Sequence, residues 1–467
     1  MKLYILLGLL PACSIALDVF SVSLAAKEAS HLYEIVSRHA DLDYGCRAVV
    51  LRSENEHKLH AVVNSEQYGR LKRTLDPGTI RIDMLSNLPK RQTETAPIDK
   101  GDRFQGGKIA PRGLGVRKPT ESFDLGGILN VQEVHSALKG LENEYKSFDT
   151  FTTPYKTYEG QSIYGAAVSM AEKCQKDKMH IYLTSGFHAR ERGGPDNLIY
   201  FISDLLYANE HRIGLTYRNV TYTNSQVKIA LGTGIVFIPM LNPDGVRYDQ
   251  ANNNRWRKNR NPASAISGDP ATVGIDLNRN FDFLWNFTKH FDPSVEPAST
   301  DPASAAFYGT GPFSEPETQN MKSVYDEYPN IRWYMDVHSA AGTRLYSWGD
   351  DINQSVDKAQ NLFNPEYDGK RGIVEDSLYK EYIDEQDWHN VALQANMTAN
   401  AMMAASTPRS KLWHKDKKAN KVYGYTMEFG YPENFYPTAE EFVQNIIDTN
   451  AGFMEFCLTA DEIGLTG

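Results

Sequence analysis

Residues 181–206 read IYLTSGFHARERGGPDNLIYFISDLL, and the fold class turns on how the two ends of this stretch differ. Ile181 to Thr184 is a short apolar run of strand length, whereas Leu198 to Leu206 carries apolar residues at helical spacing. Further strand-like runs at Ile235 to Met240, Trp333 to Val337 and Tyr423 to Met427 alternate with helical stretches. That alternation predicts an α/β domain in which helices cover a central sheet. Val131, Val134, Leu138, Leu141 and Tyr145 recur every three or four residues, and Asn130 with Glu133 supplies a capping-box start, so a helix opens this domain. Ser314 with Glu317 reads as a second helix start, Pro293 to Ala303 as a surface loop. No internal repeat is visible.

Between strand and helix lies Phe187-His188-Ala189-Arg190-Glu191. A His and a Glu three apart on a turn or helical start point the same way and can share one metal. The same spacing occurs at His31 and Glu34, so spacing alone assigns nothing. His338 follows the strand-like run Trp333 to Val337, where α/β sheets gather ligands and catalytic groups, although a core histidine at a strand end would look the same. Two His and one carboxylate would leave zinc an open position for a water whose pKa the metal lowers toward roughly 7. Two polar clusters intervene, residues 255–260 (RWRKNR) and 276–281 (DLNRNF). Each reads either as a solvated loop or as planar guanidinium donors, with a neighbouring Asn, for a carboxylate or a developing oxyanion.

The remainder of the chain bounds the setting. Its 467 residues allow one to three domains, and a net charge of -10 excludes the broad positive field of non-specific nucleic-acid binding. Lys2, the apolar stretch Leu3 to Leu10, Pro11 and Ser14-Ile15-Ala16 fit a secretory signal peptide over residues 1–16. The apolar run is far short of the roughly 20 residues that span a bilayer, so no membrane association is expected. Sequons at Asn219, Asn286, Asn353 and Asn396 agree with a secretory route. Residues 17–120 read as a prosegment, a small α+β domain to about 90 with strand patterns at 60–63 and 79–82. A Gly-, Pro- and Lys/Arg-rich linker follows from Gln92 to Thr120, with Lys90-Arg91 and Arg117-Lys118 as candidate processing sites. Residues 121–467 form the main domain. Four cysteines make no disulfide scaffold; Cys174 and Cys457 could form one bridge or stay as two thiols.

Taken in order, these motifs resemble the zinc carboxypeptidases of the pancreatic carboxypeptidase A and B type. The resemblance begins at Thr157 to Tyr164 and runs through His188-Ala189-Arg190-Glu191 and Asn242-Pro243-Asp244-Gly245. It continues through Arg257, Asn278-Arg279, Tyr308 to Glu317 and Asp336-Val337-His338-Ser339, and ends at Tyr425-Thr426-Met427-Glu428. It implies a mixed, helix-covered sheet preceded by an α+β prodomain, and one zinc held by His188, Glu191 and His338. It further implies that Asn278 and Arg279 clamp the substrate's terminal carboxylate, with Arg190 and Ser339 along the peptide path. Arg257 is then the oxyanion donor and Glu428 the general base and acid. The implied protein is a secreted, monomeric exopeptidase acting on the C-termini of peptides or proteins, with its own prosegment as inhibitor. The chain departs from the family in two places. No Tyr occurs between Met402 and Val422, where the family carries a mobile one and this chain has Trp413, His414, Lys415, Lys417 and Lys418, and Ser339 is followed by Ala340 in place of Tyr. Thr426, Leu345 and Gly349 match positions of the family's side-chain pocket; being neutral, they imply apolar C-terminal residues, whereas the three lysines would favour acidic ones.

Overall fold

Strand β7 (Ile181–Ser185) lies at the centre of a seven-stranded sheet because all five of its side chains are buried, leaving no face for solvent. The computed structural model describes residues 19–39, 42, 50–52, 56–87, 95–116, 125–282, 285–290, 298–340, 342–346, 422–430 and 434–465. They divide into two compact units, residues 1–93 and 94–467.

The first unit is a four-stranded antiparallel sheet of β1 (Val19–Ala26), β2 (Val50–Arg52), β3 (His57–Asn64) and β4 (Ile80–Asn87), in the order β2-β3-β1-β4, with helices Ala29–Arg38 and Ser65–Thr74. Val22, Leu24, Leu32, Ile35, Leu59, Ala61, Val63 and Leu71 form its core. This is the small α+β domain that the alternation at 60–63 and 79–82 predicts. Residues 1–16, expected from the sequence to be a signal peptide, and Cys46 lie outside the described residues.

In the second unit the sheet also contains β5 (Phe148–Thr152), β6 (Tyr164–Val168), β10 (Ile235–Ile238), β11 (Trp333–Ser339), β12 (Thr343–Tyr346) and β13 (Tyr423–Phe429), in the order β12-β13-β11-β7-β10-β6-β5. A separate hairpin joins β8 (Leu215–Tyr217) to β9 (Val220–Tyr222), with Asn219 exposed at its turn. Strands β10, β7, β11 and β13 run parallel, and β12, β6 and β5 are antiparallel to their neighbours. The sheet is therefore mixed, as the family resemblance implies, and four of its strands end at one edge where ligand crevices form.

Helix Val131–Glu144 begins with the capping box at Asn130 and Glu133. Helix Gly194–His211 is buried along most of its length, and helix Ala439–Ile463, unnoticed in the sequence, packs against it. The start read at Ser314 and Glu317 is displaced. The helix spans Pro316–Glu327 with Glu315 at its cap and no capping side-chain bond, because Ser314 Oγ donates to Glu315 and Glu317 is engaged by Asn259. Cys174 and Cys457 are free thiols, which closes the alternative left open by their count. Among the described residues no helix is long and apolar enough to cross a membrane.

The linker expectation is corrected over residues 95–116, which belong to the second unit. Ala96 N donates to Pro437 O and Ile128 N to Pro97 O, while Asn143 Nδ2 donates to Gly107 O and Gly115 N to Asp204 Oδ2 at 2.8 Å. Arg103 Nε meets Glu133 Oε1 at 2.8 Å and its Nη2 reaches Gly127 O, so a guanidinium closes over the buried capping carboxylate. Composition hid this because the partners that order the segment lie far away in sequence. The main domain therefore starts near 94 instead of 121, and both dibasic pairs lie outside the described residues. After cleavage between Arg117 and Lys118, residues 95–116 are expected to stay bound to the rest of the unit in native gel filtration and to separate only in denaturant. A strap that elutes free under native conditions would contradict this packing.

Candidate metal centre and its supporting groups

The loop after β7 carries the first two candidate ligands and is shaped by two glycines. Gly193 has φ 102° and caps the following helix, and a Cβ on Gly194 would lie 2.2 Å from Ser185 Oγ. These turn the chain sharply, so that His188 and Glu191 face the edge of the sheet. Asn242, at the cap of helix Pro243–Asn252, accepts from Gly245 N and donates to Phe187 O and Lys258 O. Ala189 N donates to Arg257 O at 3.1 Å. Through these bonds the loop bearing His188 and the loop bearing Arg257 are tied together.

His338 lies within β11 itself, one residue before its end, so the expected position after the strand shifts into it. The parallel register pairs it with Glu428 on β13, which places the predicted base beside a predicted ligand on the neighbouring strand. Thr426 is two residues before Glu428 and also buried.

Three donor groups converge. His188 Nδ1 is 2.6 Å from Glu191 Oε1, His338 Nδ1 is 2.8 Å from Glu191 Oε2, and the two Nδ1 atoms are 3.1 Å apart. All three residues are buried, and their ligand atoms lie within 4.8 Å of one another. The far nitrogens are already engaged, His188 Nε2 by Asp276 Oδ1 at 3.0 Å and His338 Nε2 by Asp336 Oδ2 at 2.7 Å. With the Nε2–H groups donated to carboxylates, two imidazole lone pairs and a carboxylate face one another, which a cation would stabilise. Two His and one Glu are the donor set of open, catalytic zinc sites, so the residues fit one zinc.

Electrostatics follow from burial against pairing. Burial raises the Asp276 carboxyl, but Arg257 first, then Arg279 and His188, hold it well below the usual carboxylate range. Burial likewise opposes ionisation of Glu191, and His188 and His338 overcome it, keeping that carboxyl far down. For His338 burial disfavours charge, while Asp336 and Glu191 together push its affinity for a proton well up.

Arg257 donates through Nε and Nη2 to Asp276 Oδ2 at 3.1 and 2.9 Å and presents Nη1 3.7 Å from Glu191 Oε1. Asn278 and Arg279 are buried on a short turn whose cap is the Asp276 side chain, which accepts from Asn278 N. Ser339 N donates to Glu191 Oε2 at 3.3 Å. Arg190, the residue before Glu191, stacks over the Phe435 ring at 4.2 Å. The Leu345 side chain, Gly349 and residues 402–421 of the Tyr-less stretch lie outside the described residues. Sequence reasoning missed Asp276 and Asp336 as supports, and Arg192, which pairs with Asp249 at 2.7 Å beneath the Tyr436 ring. For Asp336 a signal existed, since it stands two residues before His338 and so on the same strand face.

Residues 134–452, more than half the chain, match the sequence family described as zinc carboxypeptidase. A carboxypeptidase B from Astacus astacus is 26% identical over 325 residues, covering 67% of this chain and 93% of the relative. The inactive metallocarboxypeptidase ECM14 of Saccharomyces cerevisiae is 24% identical over 248 residues, 52% of each chain. The crystal structure of the carboxypeptidase A from Helicoverpa armigera superposes with a TM-score of 0.55 at 17% identity, covering 96% of this chain and 99% of that one, and bears on the fold alone.

Asp276→Ala removes the carboxylate that takes both Nε and Nη2 of the buried Arg257 guanidinium and should lower the unfolding free energy by about 3–5 kcal/mol. The check is urea unfolding at fixed pH, and a midpoint equal to wild type would show that Arg257 does not depend on this carboxylate.

Proposed function

The chain belongs to the zinc carboxypeptidase family and is a metallocarboxypeptidase, and from that premise we propose that it removes single residues from the C-termini of peptides or proteins. The observation that carries this reading is the convergence of His188, Glu191 and His338 beside Arg257, with Glu428 in register on the adjacent strand. Zinc, when bound, supplies a Lewis acid and lowers the pKa of water toward about 7. Glu428 takes a proton from the attacking water and later delivers one to the leaving amine. Arg257, fixed by Asp276, donates to the oxyanion as it develops, a role worth about 3–4 kcal/mol. Asn278 and Arg279 bind the terminal carboxylate, which restricts cleavage to the last peptide bond, and Arg190 and Ser339 line the peptide path.

We further propose that the protein is secreted and glycosylated, and that its first unit, up to residue 93, is an inhibitory prosegment released by cleavage at a dibasic pair. Exposed Asn219 and Asn286 support glycosylation. A catalytically silent secreted binding protein on the same fold is the second reading. It is favoured by the missing Tyr between Met402 and Val422 and by the similarity to a relative described as inactive. Against it, Glu428 and the metal donors are all present.

Zinc content and peptide hydrolysis of the trimmed protein separate the two readings. Glu428→Gln should keep zinc and lose turnover by about a hundred- to ten-thousand-fold, nearer the upper end, whereas His188→Ala should lose the metal itself. A wild type that holds zinc and never cleaves, or a Glu428→Gln variant as fast as wild type, would remove the mechanism. Among peptides differing only in the last residue, apolar or acidic ends should be preferred, and a strong preference for Lys or Arg would contradict the proposed pocket.

A further inference from the structure

His338 is backed by a hydrogen-bonded file that no step of the mechanism uses. Tyr334, Asp336 and His338 alternate along one face of β11, and the parallel register sets Asp336 opposite Thr184 on β7. Thr184 Oγ1 lies 3.0 Å from Asp336 Oδ1 and 2.7 Å from Tyr334 Oη, and Asp336 Oδ2 lies 2.7 Å from His338 Nε2. All four side chains are almost completely buried, so no water competes for these bonds.

The order of donors follows from counting protons. A carboxylate only accepts, so Thr184 spends its single hydroxyl proton on Asp336. Thr184 must then accept from Tyr334, whose hydroxyl is the donor at the end of the file. The other carboxylate oxygen accepts from His338 Nε2–H. That choice fixes the tautomer and leaves the Nδ1 lone pair pointing at Glu191 and His188 Nδ1, the direction in which a metal is held.

We infer that Asp336, itself oriented by Thr184 and Tyr334, is a positioning residue that presets His338 as a metal ligand through Nδ1. The inference rests on zinc at His188, Glu191 and His338. It gives the two ligating histidines matching supports of different origin. Asp276 comes from a distant loop, whereas Asp336 comes from the ligand's own strand. Outer carboxylates of this kind typically change metal affinity by about 10–100-fold.

Zinc affinity measured by chelator competition, with no appeal to activity, tests this on the full chain. Asp336→Asn presents an amide whose nitrogen can donate to His338 Nε2 and so favour the opposite tautomer, the effect by which the Asp→Asn change disables a Ser-His-Asp triad. Affinity should fall by about 10–100-fold, and the absorption bands of the cobalt-substituted protein should shift as the ligand field changes. Because this variant also removes a charge, Thr184→Val and Thr184→Ser separate orientation from charge. Thr184→Val should weaken zinc binding in the same direction, and Thr184→Ser, which keeps the hydroxyl, should restore wild-type affinity at equal thermal stability of the metal-free protein. Asp336→Asn binding zinc as tightly as wild type would overturn the inference while leaving the zinc site standing. Valine and serine at 184 behaving alike would also overturn it, and that comparison decides the matter if Asp336→Asn does not fold. A wild type that binds no zinc would overturn both the site and its support.

Discussion

The carboxylate of Asp276 is the constraint on which the centre depends. Its Oδ1 receives His188 Nε2 and the Asn278 backbone N–H, and its Oδ2 receives both Nε and Nη2 of Arg257. One buried group therefore orients a candidate metal ligand, holds the guanidinium proposed to meet the oxyanion, and caps the turn that carries the proposed substrate clamp. Removing a carboxylate from water costs several kcal/mol, and only this full set of partners offsets it. Because each partner also has a role in the proposed mechanism, the requirement that Asp276 be satisfied and the requirement that the proposed site be assembled are the same requirement.

The sheet supplies what side-chain bonds cannot, namely fixed separations between groups distant in sequence. Parallel pairing of β7, β11 and β13 brings the loop after Ser185, His338 and Glu428 to one edge, and the fully buried faces of β7 and β11 prevent a slip in register, since a one-residue shift would turn His338 into the opposite face. Helices Gly194–His211 and Ala439–Ile463, packed together, anchor the turn that begins at Gly193. Rigidity of this kind is what a site needs if its donors are to be in place before metal and substrate arrive.

Much of this was legible in the sequence, for physical reasons that differ by element. Strands buried on both faces read as continuous apolar runs, so β7, β10, β11 and β13 could be found without a structure. The metal ligands were legible only through the order of many motifs, since His31 and Glu34 show the same spacing as His188 and Glu191. Asp336, two residues before His338, was within reach of the strand period, and only its bond to Thr184 needed the register. Asp276 was hidden because a charged residue in sequence looks solvated until its partners are known, and its partner Arg257 is 19 residues away. The segment 95–116 was misread for the same reason. Arg103 looks like one more basic linker residue, and the buried carboxylate of Glu133, 30 residues on, together with Gly127 O, makes it structural.

A crystal structure of the zinc-loaded protein with anomalous data at the zinc edge tests the central claim most directly. The account predicts one peak per chain, about 2.0–2.2 Å from Nδ1 of both His188 and His338 and from a Glu191 oxygen, with both Nε2 atoms still bonded to Asp276 and Asp336. A peak elsewhere, or ligation through either Nε2 with its carboxylate displaced, would contradict it.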